Sequence, residues 1–503
     1  MINTLTPLLE DAPRILFHVR GSMQADEVDM LVRLRHALRA RRFELLVIAH
    51  FWPEISADVP VLRVRNGLSH YVSPTPDQGW RPWLSPQPSL DKAFLSELLA
   101  IEDDWNGPVS DESPRMEAIW FYEIFYRTAL SQAKPSLLLL WNGRHPQEKI
   151  LDRLCRDTGC PVCYLERGLL PGVLHIDTEG ILAASRIARS TAWTWPDGVD
   201  SARWKNTFAA FQRGYCKGGN TWWTQPKSSG ADALRRELEI PSSAKVLMFA
   251  GQVDRDAQNL YFSPLYKNNL TAFEAFCAAL PRDPAIFVLG KHHPKSEISP
   301  MCYREVLARH GLAGVWAENC ALTDCLALAD RVAAVNSTVL AESLMHGKPV
   351  LAMGNLLLSG KGIAYENTGD NALAEVVREW IAAADQEFRL KRWLDFGAYL
   401  LASEFYGVRA DAEAHGLRGI DAMAAHLISQ CAAEVSYAAP PAGFLEEALL
   451  WDDLRRKFHC HTGFKEVLRG LNIVANATIG RWAPGAYQKM VALANRWYGI
   501  AGR

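Results

Sequence analysis

The feature that most constrains the fold is a short, wholly apolar run, Ala285 to Leu289, which ends in Gly290-Lys291-His292-His293-Pro294. Five apolar residues that end at a glycine are typical of a strand buried on both faces of a parallel sheet. In open parallel sheets the carboxyl ends of the strands face the ligand crevice. A lysine and two histidines at such an end predict a phosphate site, since both side-chain types donate charge-assisted hydrogen bonds to phosphate oxygens. A loop whose histidines only satisfy backbone groups is an equal alternative.

Further apolar runs alternate with helical patterns in two series, which are separated by a linker-like sequence, Trp223 to Gly230. This alternation predicts the α/β class, with two doubly wound, Rossmann-like parallel sheets that face a cleft. The stretch from Gly67 to Leu90 is rich in proline and tryptophan and predicts surface loops. The predicted units are residues 1–225 and 226–400 for the two domains, 401–440 for helices that pack back on the core, and 441–503 for a basic tail.

Composition excludes several classes of protein. With a net charge of −2, nucleic acid is not an expected partner, and no apolar run approaches the roughly 20 residues that span a bilayer. The ten cysteines follow no regular framework, and acidic residues interrupt the first twenty positions, so neither a disulfide scaffold nor a secretory signal is expected. We therefore expect a cytoplasmic protein whose membrane association, if any, is peripheral.

Two cysteine-containing groups consist of residue types that bind metal ions. Cys155, Cys160 and Cys163 lie close in sequence, but no matched fourth ligand accompanies them, and His459-Cys460-His461 is weaker still. Incidental or buried thiols explain both groups better than zinc does. We predict no metal site.

Four strand ends supply candidate site residues, each with an ordinary alternative. Two carboxylates follow the Lys245 to Ala250 strand, and a glutamate follows the Pro161 to Leu165 strand. Hydroxyl and amide groups follow the Arg331 to Val335 strand and open a helix, where they can bind an anion or simply cap the helix. The candidates are Gln252, Asp254, Asp256, Glu166, Arg167, Asn336, Ser337, Thr338 and, after the Leu137 to Leu140 strand, Arg144.

The order of these motifs resembles the retaining β-Kdo transferases of capsule-polysaccharide synthesis (KpsC-like). The resemblance is carried by WNGR, ERGLLPG, GQVDRDAQ, the Lys-His-His-Pro turn and NSTVLAESLMHGKPV, within residues 136–354. Gln258 stands where the family tends to have serine, and His292 replaces a proline. The resemblance implies a GT-B fold, with an acceptor-side first domain, a nucleotide-sugar second domain, and CMP-Kdo as the donor.

The resemblance also implies roles for the carboxylates. Asp256 aligns with the catalytic aspartate and Glu166 with the glutamate of the family's motif. Retention by double displacement needs a carboxylate nucleophile and a second carboxyl group as acid/base, which would be Asp256 and Glu166. No metal and no cofactor is required by this set.

The donor is expected to contact the remaining candidates. Lys291, His292 and His293 would neutralise the departing phosphate, helped by Asn336, Ser337 and Thr338. Glu342 is placed for the ribose hydroxyls, with an ordinary helix carboxylate as the alternative. Arg144, Arg167 or Gln252 would hold the donor sugar, and either arginine can bind its carboxylate with two hydrogen bonds.

The tail from Leu454 to Arg503 has nine basic residues with aromatic residues between them. Such segments bind anionic membrane surfaces, where a lipid-linked acceptor would lie, and they also form packed helical subdomains. The predicted activity is transfer of Kdo to a saccharide or lipid-linked acceptor in capsule or lipopolysaccharide assembly. An inverting sialyl- or Kdo-type transferase and a non-catalytic nucleotide-sugar binding protein are the alternatives.

Overall fold

The structure is a computed structural model that describes residues 8–9, 11–19, 23, 25–49, 59–63, 90–218, 226–367, 369 and 373–437. The described chain forms two α/β units, each built on one mainly parallel sheet. This confirms the predicted class of two doubly wound, Rossmann-like domains. The predicted loops at 67–90 lie outside the described residues except for Leu90, and the predicted tail at 441–503 lies wholly outside them.

The first sheet is buried between two layers of helices. All residues of its second and fourth strands are buried, as expected where helices cover both faces. Its first six strands are β1 (Arg14–Val19), β2 (Glu44–Ala49), β3 (Val61–Arg63), β4 (Leu137–Trp141), β5 (Val162–Arg167) and β6 (Val173–Asp177), in the spatial order β6-β5-β4-β1-β2-β3. Its helices are α1 (Ala25–Arg39), α2 (Lys92–Asn106), α3 (Ser113–Ala133), α4 (Pro146–Asp157), α5 (Arg186–Arg189) and α6 (Ser201–Gly218), with a 3₁₀ turn at Leu182–Ala184.

Glu44 is one of several charged residues that are buried in this unit. The Glu44 carboxylate at the start of β2 is fully buried, and it accepts hydrogen bonds from Arg35 Nε at 2.7 Å and Arg39 Nη1 at 2.8 Å. Both arginines belong to α1. The ion pairs therefore fix α1 against the sheet, because a buried charge must be paired.

The second sheet is wholly parallel. Its strands are β7 (Lys245–Ala250), β8 (Ile286–Lys291), β9 (Gly314–Ala317), β10 (Arg331–Ala334), β11 (Val350–Ala352) and β12 (Tyr365–Glu366), in the spatial order β12-β11-β10-β7-β8-β9. Its helices are α7 (Ala231–Glu237), α8 (Ala257–Phe262), α9 (Asn269–Ala279), α10 (Pro300–Arg309), α11 (Leu322–Leu328), α12 (Val339–Met345) and α13 (Leu373–Ala382). The ends of β7, β8 and β10 lie side by side, which brings three of the predicted motifs to one edge.

The chain then returns to the first unit. The closing elements are α14 (Gln386–Tyr399), a π-helix at Leu400–Glu404, β13 (Phe405–Gly407) and α15 (Ile420–Gln430). The sequence predicts helices at 401–440 and misses β13, which pairs antiparallel with β6 at the edge of the first sheet. The β5–β6 pair is also antiparallel, so this edge departs from the predicted all-parallel order.

The two units share a packed junction. One apolar cluster contains Leu170 and Val173 of the first unit together with Met248 and Leu340 of the second. The buried Lys361 ammonium donates hydrogen bonds to the carbonyls of Ala188 at 3.3 Å and Ser190 at 2.8 Å. Among the described residues, no helix is both long enough and apolar enough to span a bilayer.

Candidate active site

Glu166 lies within β5, one position beyond Leu165, where the sequence predicted this strand to end. Its carboxylate accepts hydrogen bonds from Asn142 Nδ2 at 2.9 Å and from the Arg167 backbone N–H at 2.8 Å. Burial raises the pKa of Glu166 to about 6, although Arg167 and these hydrogen bonds act in the opposite direction. A half-buried carboxyl group with this pKa can take up and release a proton near neutral pH.

Asp256 lies opposite, at the start of α8. It caps this helix, since one carboxylate oxygen accepts a hydrogen bond from the Gln258 N–H at 2.9 Å. No further hydrogen bond to this carboxylate is found within the described part of the chain, so its second oxygen is available. Burial raises the pKa of Asp256, and the Asp256 charge in turn contributes to the raised pKa of Glu166. The two carboxyl groups therefore interact across the junction between the units.

Asp254 is the other carboxylate of the same loop, and its hydrogen bonds are internal. It is buried and accepts from Asn269 Nδ2 at 3.0 Å, Ser296 Oγ at 2.7 Å and the Glu297 N–H at 3.0 Å. These bonds tie the loop to the segment that follows the histidines. Asp254 therefore stabilises the loop, and Asp256 is the carboxylate of this loop that is the candidate nucleophile.

Gln252 and Asn336 also form an internal network. Gln252 Nε2 donates to Asn336 Oδ1 at 2.8 Å and to Asn259 Oδ1 at 2.6 Å, and Gln252 Oε1 accepts from the Asn336 N–H at 3.3 Å. Both side chains are at most 6% exposed. Their amide groups hold the ends of β7 and β10 together. Binding of the donor sugar by Gln252 and of its phosphate by Asn336 stays a prediction.

Lys291 ends β8 with its side chain buried. Its ammonium donates to the carbonyl oxygens of His292 at 2.9 Å and Glu318 at 3.5 Å. Both acceptors are backbone carbonyls of the chain, and binding of phosphate by Lys291 stays a prediction. The charge still acts at the site, because Lys291 helps to lower the pKa of both neighbouring histidines.

The two histidines differ in their partners. His292 Nδ1 accepts a hydrogen bond from the Trp316 indole N–H at 3.1 Å, and burial lowers the pKa of His292. His293 Nδ1 accepts from the Lys295 N–H at 3.1 Å. Burial, followed by the charges of Lys291, His292 and Lys295, lowers the pKa of His293 to about 4. His293 is therefore neutral at pH 7, with its proton on Nε2, and not the imidazolium that the sequence suggested.

Ser337 and Thr338 lie at the same edge, after β10. The Thr338 side chain is exposed and makes no capping bond to α12, and Ser337 Oγ accepts from the Val339 N–H at 3.3 Å. The simple helix-cap alternative is therefore absent for Thr338. Both hydroxyl groups remain placed to meet a ligand at the ends of β7 and β10.

Glu342 is not open to a ligand. It is 1% exposed, and its carboxylate accepts a short hydrogen bond from the hydroxyl of Tyr215, a residue of α6. Burial and the Glu342 charge raise the pKa of Tyr215. In this conformation α6 covers the carboxylate, as expected for the alternative of an ordinary helix carboxylate, and a contact with ribose hydroxyls stays a prediction.

The two arginines proposed for the sugar carboxylate have different surroundings. Arg167 already binds a carboxylate with two hydrogen bonds, since its Nε and Nη2 donate to Glu27 at 2.7 and 3.0 Å. Arg144 lies 4.9 Å above the ring of Phe262 and 5.9 Å from that of Tyr261. Its guanidinium has no hydrogen bond or ion pair among the described residues, and burial lowers its pKa. Arg144 is thus the arginine whose guanidinium can bind a further carboxylate, whereas a sugar-binding role of Arg167 stays a prediction.

Sequence reasoning missed the aromatic residues of the second unit that contact Arg144. Tyr261 and Phe262 lie in α8, directly after the aspartate, and Trp105 of α2 lies 6.4 Å from Tyr261 between ring centres. The Trp105 carbonyl accepts a hydrogen bond from Arg255 at 3.1 Å. The aromatic pair after the aspartate motif was visible in the sequence, but only the structure shows that it meets the first unit.

One cluster in the described residues has the composition of a metal site. His175, Asp177 and Glu404 are buried within 4.8 Å of one another. Asp177 accepts three backbone N–H groups, and Glu404 accepts from Arg186 and Tyr399. His175 Nε2 is buried 3.7 Å from Glu404 Oε2, with no hydrogen-bond partner among the described residues. Burial would raise the pKa of Glu404, but His175 and Arg186 lower it to about 2. An ion-pair centre that anchors the π-helix to β6 accounts for these contacts.

Comparison with known proteins gives one family match. Residues 217–385 match the family described as capsule polysaccharide biosynthesis protein. Protein FixF of Sinorhizobium fredii (strain NBRC 101917 / NGR234) is 25% identical over 278 residues, which are 54% of this chain and 61% of the relative. The chain thus matches about three fifths of the relative's length. The family match confirms the resemblance to capsule-polysaccharide proteins that the motifs predict.

Among solved structures, two of KpsC from Thermosulfurimonas dismutans are similar at 18% identity, and each match covers 58% of this chain. The β-Kdo 2,7 transferase is covered to 96% with a TM-score of 0.34, and the β-Kdo 2,4 transferase to 87% with a TM-score of 0.40. A glycosyltransferase from Rickettsia africae ESF-5 matches at 9% identity, over 83% of this chain and 97% of its own, with a TM-score of 0.35. At these scores the solved structures are distant.

Proposed function

We propose that this chain is a glycosyltransferase of surface-polysaccharide assembly that transfers Kdo, or a related 3-deoxy-ulosonic acid, from its CMP conjugate to a saccharide or lipid-linked acceptor. The observation that carries the proposal is the carboxylate pair at the junction. Glu166 comes from one unit and Asp256 from the other, and the Asp256 charge contributes to the raised pKa of Glu166. The family match supports the same class of function.

The proposed reaction has two displacements and retains the anomeric configuration. The free Asp256 oxygen forms a bond to the anomeric carbon while the bond from that carbon to the CMP phosphate oxygen breaks, and the bonding electrons leave with CMP. The acceptor hydroxyl then gives its proton to Glu166 and attacks the same carbon, and the ester bond to Asp256 breaks. Two inversions at one carbon give net retention.

The surrounding residues account for donor recognition in this proposal. His293 donates a hydrogen bond from Nε2 to the departing phosphate, and the buried Lys291 adds positive potential behind it. The unpaired Arg144 guanidinium binds the carboxylate that distinguishes an ulosonic acid from common hexoses. An arginine held on aromatic rings is already oriented, so little rotamer entropy is lost when it binds.

The experiment is donor selection followed by product analysis. CMP-Kdo is expected to raise the melting temperature, whereas UDP- and GDP-hexoses leave it unchanged, since a ligand that binds only the folded state stabilises it. NMR of the transferred sugar is expected to show the configuration of Kdo in the β-linked product, as retention of the donor configuration requires. Inverted product would favour the inverting transferase, and stabilisation without turnover would favour the binding protein.

A further inference from the structure

The turn that follows β4 holds Asn142 in an unusual backbone conformation. Its φ angle is 77°, in the left-handed region that side chains other than glycine rarely occupy, and Gly143 follows at 76°. A Cβ atom at Gly143 would lie 2.4 Å from the Tyr164 ring, so this turn is pressed against β5. Left-handed asparagine is the least unfavourable choice after glycine, yet glycine would cost less. The side chain at position 142 therefore calls for an explanation.

The contacts of Asn142 provide one. Its backbone N–H donates to the Leu165 carbonyl at 2.9 Å, and its side-chain Nδ2 donates to Glu166 Oε2 at 2.9 Å. The turn thus holds two consecutive residues of β5. Its Oδ1 is buried and has no hydrogen-bond partner among the described residues. A buried acceptor beside the carboxylate pair is a group that a bound sugar hydroxyl can satisfy.

We infer that Asn142 is the positioning residue of the acid/base group: its left-handed turn places a side-chain amide that fixes the Glu166 carboxylate toward Asp256 and offers a hydrogen-bond acceptor to the substrate. This inference rests on the proposed function of Glu166. Asn142 touches no reacting atom of the transfer. It acts through the orientation and the protonation of Glu166.

The charged groups around Glu166 determine how its pKa changes when the Asn142 amide is removed. Asp256 faces Glu166 from α8, Arg167 follows it in β5, and His175 is its partner across the strand pair with β6. Burial and Asp256 favour the protonated acid, whereas Arg167 and Asn142 favour the carboxylate. Glu166 must be ionised to accept the acceptor proton, so activity rises with pH through its pKa. Loss of Asn142 raises that pKa and moves the rise to higher pH.

The test is Asn142→Gly, because glycine keeps the left-handed backbone and removes only the amide. The matched control is Lys134→Gly, at an exposed left-handed position that ends α3. With CMP-Kdo and a soluble acceptor, Asn142→Gly is expected to lower kcat and to shift the acidic limb of the pH–rate profile upward by about one pH unit. Lys134→Gly is expected to leave that limb in place. An unshifted limb in Asn142→Gly overturns the inference.

A second measurement does not depend on turnover. Melting temperatures of Asn142→Gly, Glu166→Ala and the double variant form a cycle at pH 8, where Glu166 is ionised. A double variant that loses clearly less than the sum of the single losses supports the pairing, and additive losses contradict it. If the wild-type protein transfers nothing from CMP-Kdo, the proposed function has failed, and this cycle still decides the role of Asn142 in holding Glu166.

Discussion

At the residue scale, the candidate site separates side chains that are already bonded from those that are open. Asp254, Gln252 and Asn336 are enclosed in hydrogen bonds that hold the loops. Asp256, Arg144 and His293 each keep a polar group available at the cleft. A buried polar atom that is satisfied within the protein gains nothing from a ligand, so the open groups are the ones expected to bind substrate.

His293 gives a prediction at this scale. His293→Ala is expected to weaken CMP binding by about 1.5–3 kcal/mol, the range for a hydrogen bond to a charged group, without lowering the melting temperature by more than a few degrees. Calorimetric titration measures the affinity. His310→Ala is the matched control. This histidine directly follows α10 in the same unit, and its Nε2 is hydrogen-bonded to Glu274 at 2.8 Å. Equal CMP affinity in wild type and His293→Ala would remove His293 from the site.

The same variant tests how the pKa of His293 changes when CMP binds. His293 is neutral in the free protein because its pKa is lowered to about 4, and a phosphate anion beside it would raise that pKa. CMP binding is therefore expected to take up protons between about pH 5 and 7. Titrations in buffers of different ionisation enthalpy measure this uptake, which should be smaller in His293→Ala.

At the element scale, β8 positions the histidine turn through close packing. A Cβ atom at Gly290 would lie 1.9 Å from the Trp316 ring, and Trp316 in turn donates to His292. Trp316 also stacks on Tyr303 of α10 with 3.8 Å between ring centres. The glycine thus permits an approach that orients the end of the strand.

Gly290→Ala is accordingly expected to lower the free energy of unfolding by about 1–3 kcal/mol, the usual cost of overpacking, and to weaken CMP binding as the turn moves. Thermal unfolding and calorimetry measure the two effects. Gly214→Ala is the control, since among the described residues no atom outside its own helix backbone lies within 4 Å of a Cβ at that exposed position. Alanine should be neutral or stabilising there. A Gly290→Ala protein with unchanged stability would contradict the packing account.

The elements themselves were largely readable from the sequence. β1, β7 and β8 are buried apolar runs, and their period and glycine or polar boundaries predict strands within one or two residues. β6 was missed although it pairs with β5, which directly precedes it in the chain. β13 was missed because it pairs with β6 across more than 200 positions, a contact on which the local pattern carries no information.

At the scale of the whole molecule, the sequence predicted where the strands end, but not which side chains at those ends are already bonded within the protein. The roles of Glu342 and Arg167 depend on Tyr215 and Glu27, which approach from α6 and α1. Charge and spacing alone could not show that these partners were present. The pairing of Glu166 with Asp256 likewise depends on how the two units meet, as do the Arg144–Phe262 and Arg255–Trp105 contacts.

The central claim is that this junction forms a covalent sugar ester on Asp256, and intact-protein mass spectrometry of Glu166→Gln with CMP-Kdo tests it most directly. The amide cannot accept the acceptor's proton, so the second displacement slows and the ester accumulates. Glu297→Gln, an exposed carboxylate near the same loops, is the control and should accumulate none. The account predicts a mass increase of one sugar, mapped to the peptide that contains Asp256. Turnover of CMP-Kdo with inverted product and no adduct in Glu166→Gln would contradict it.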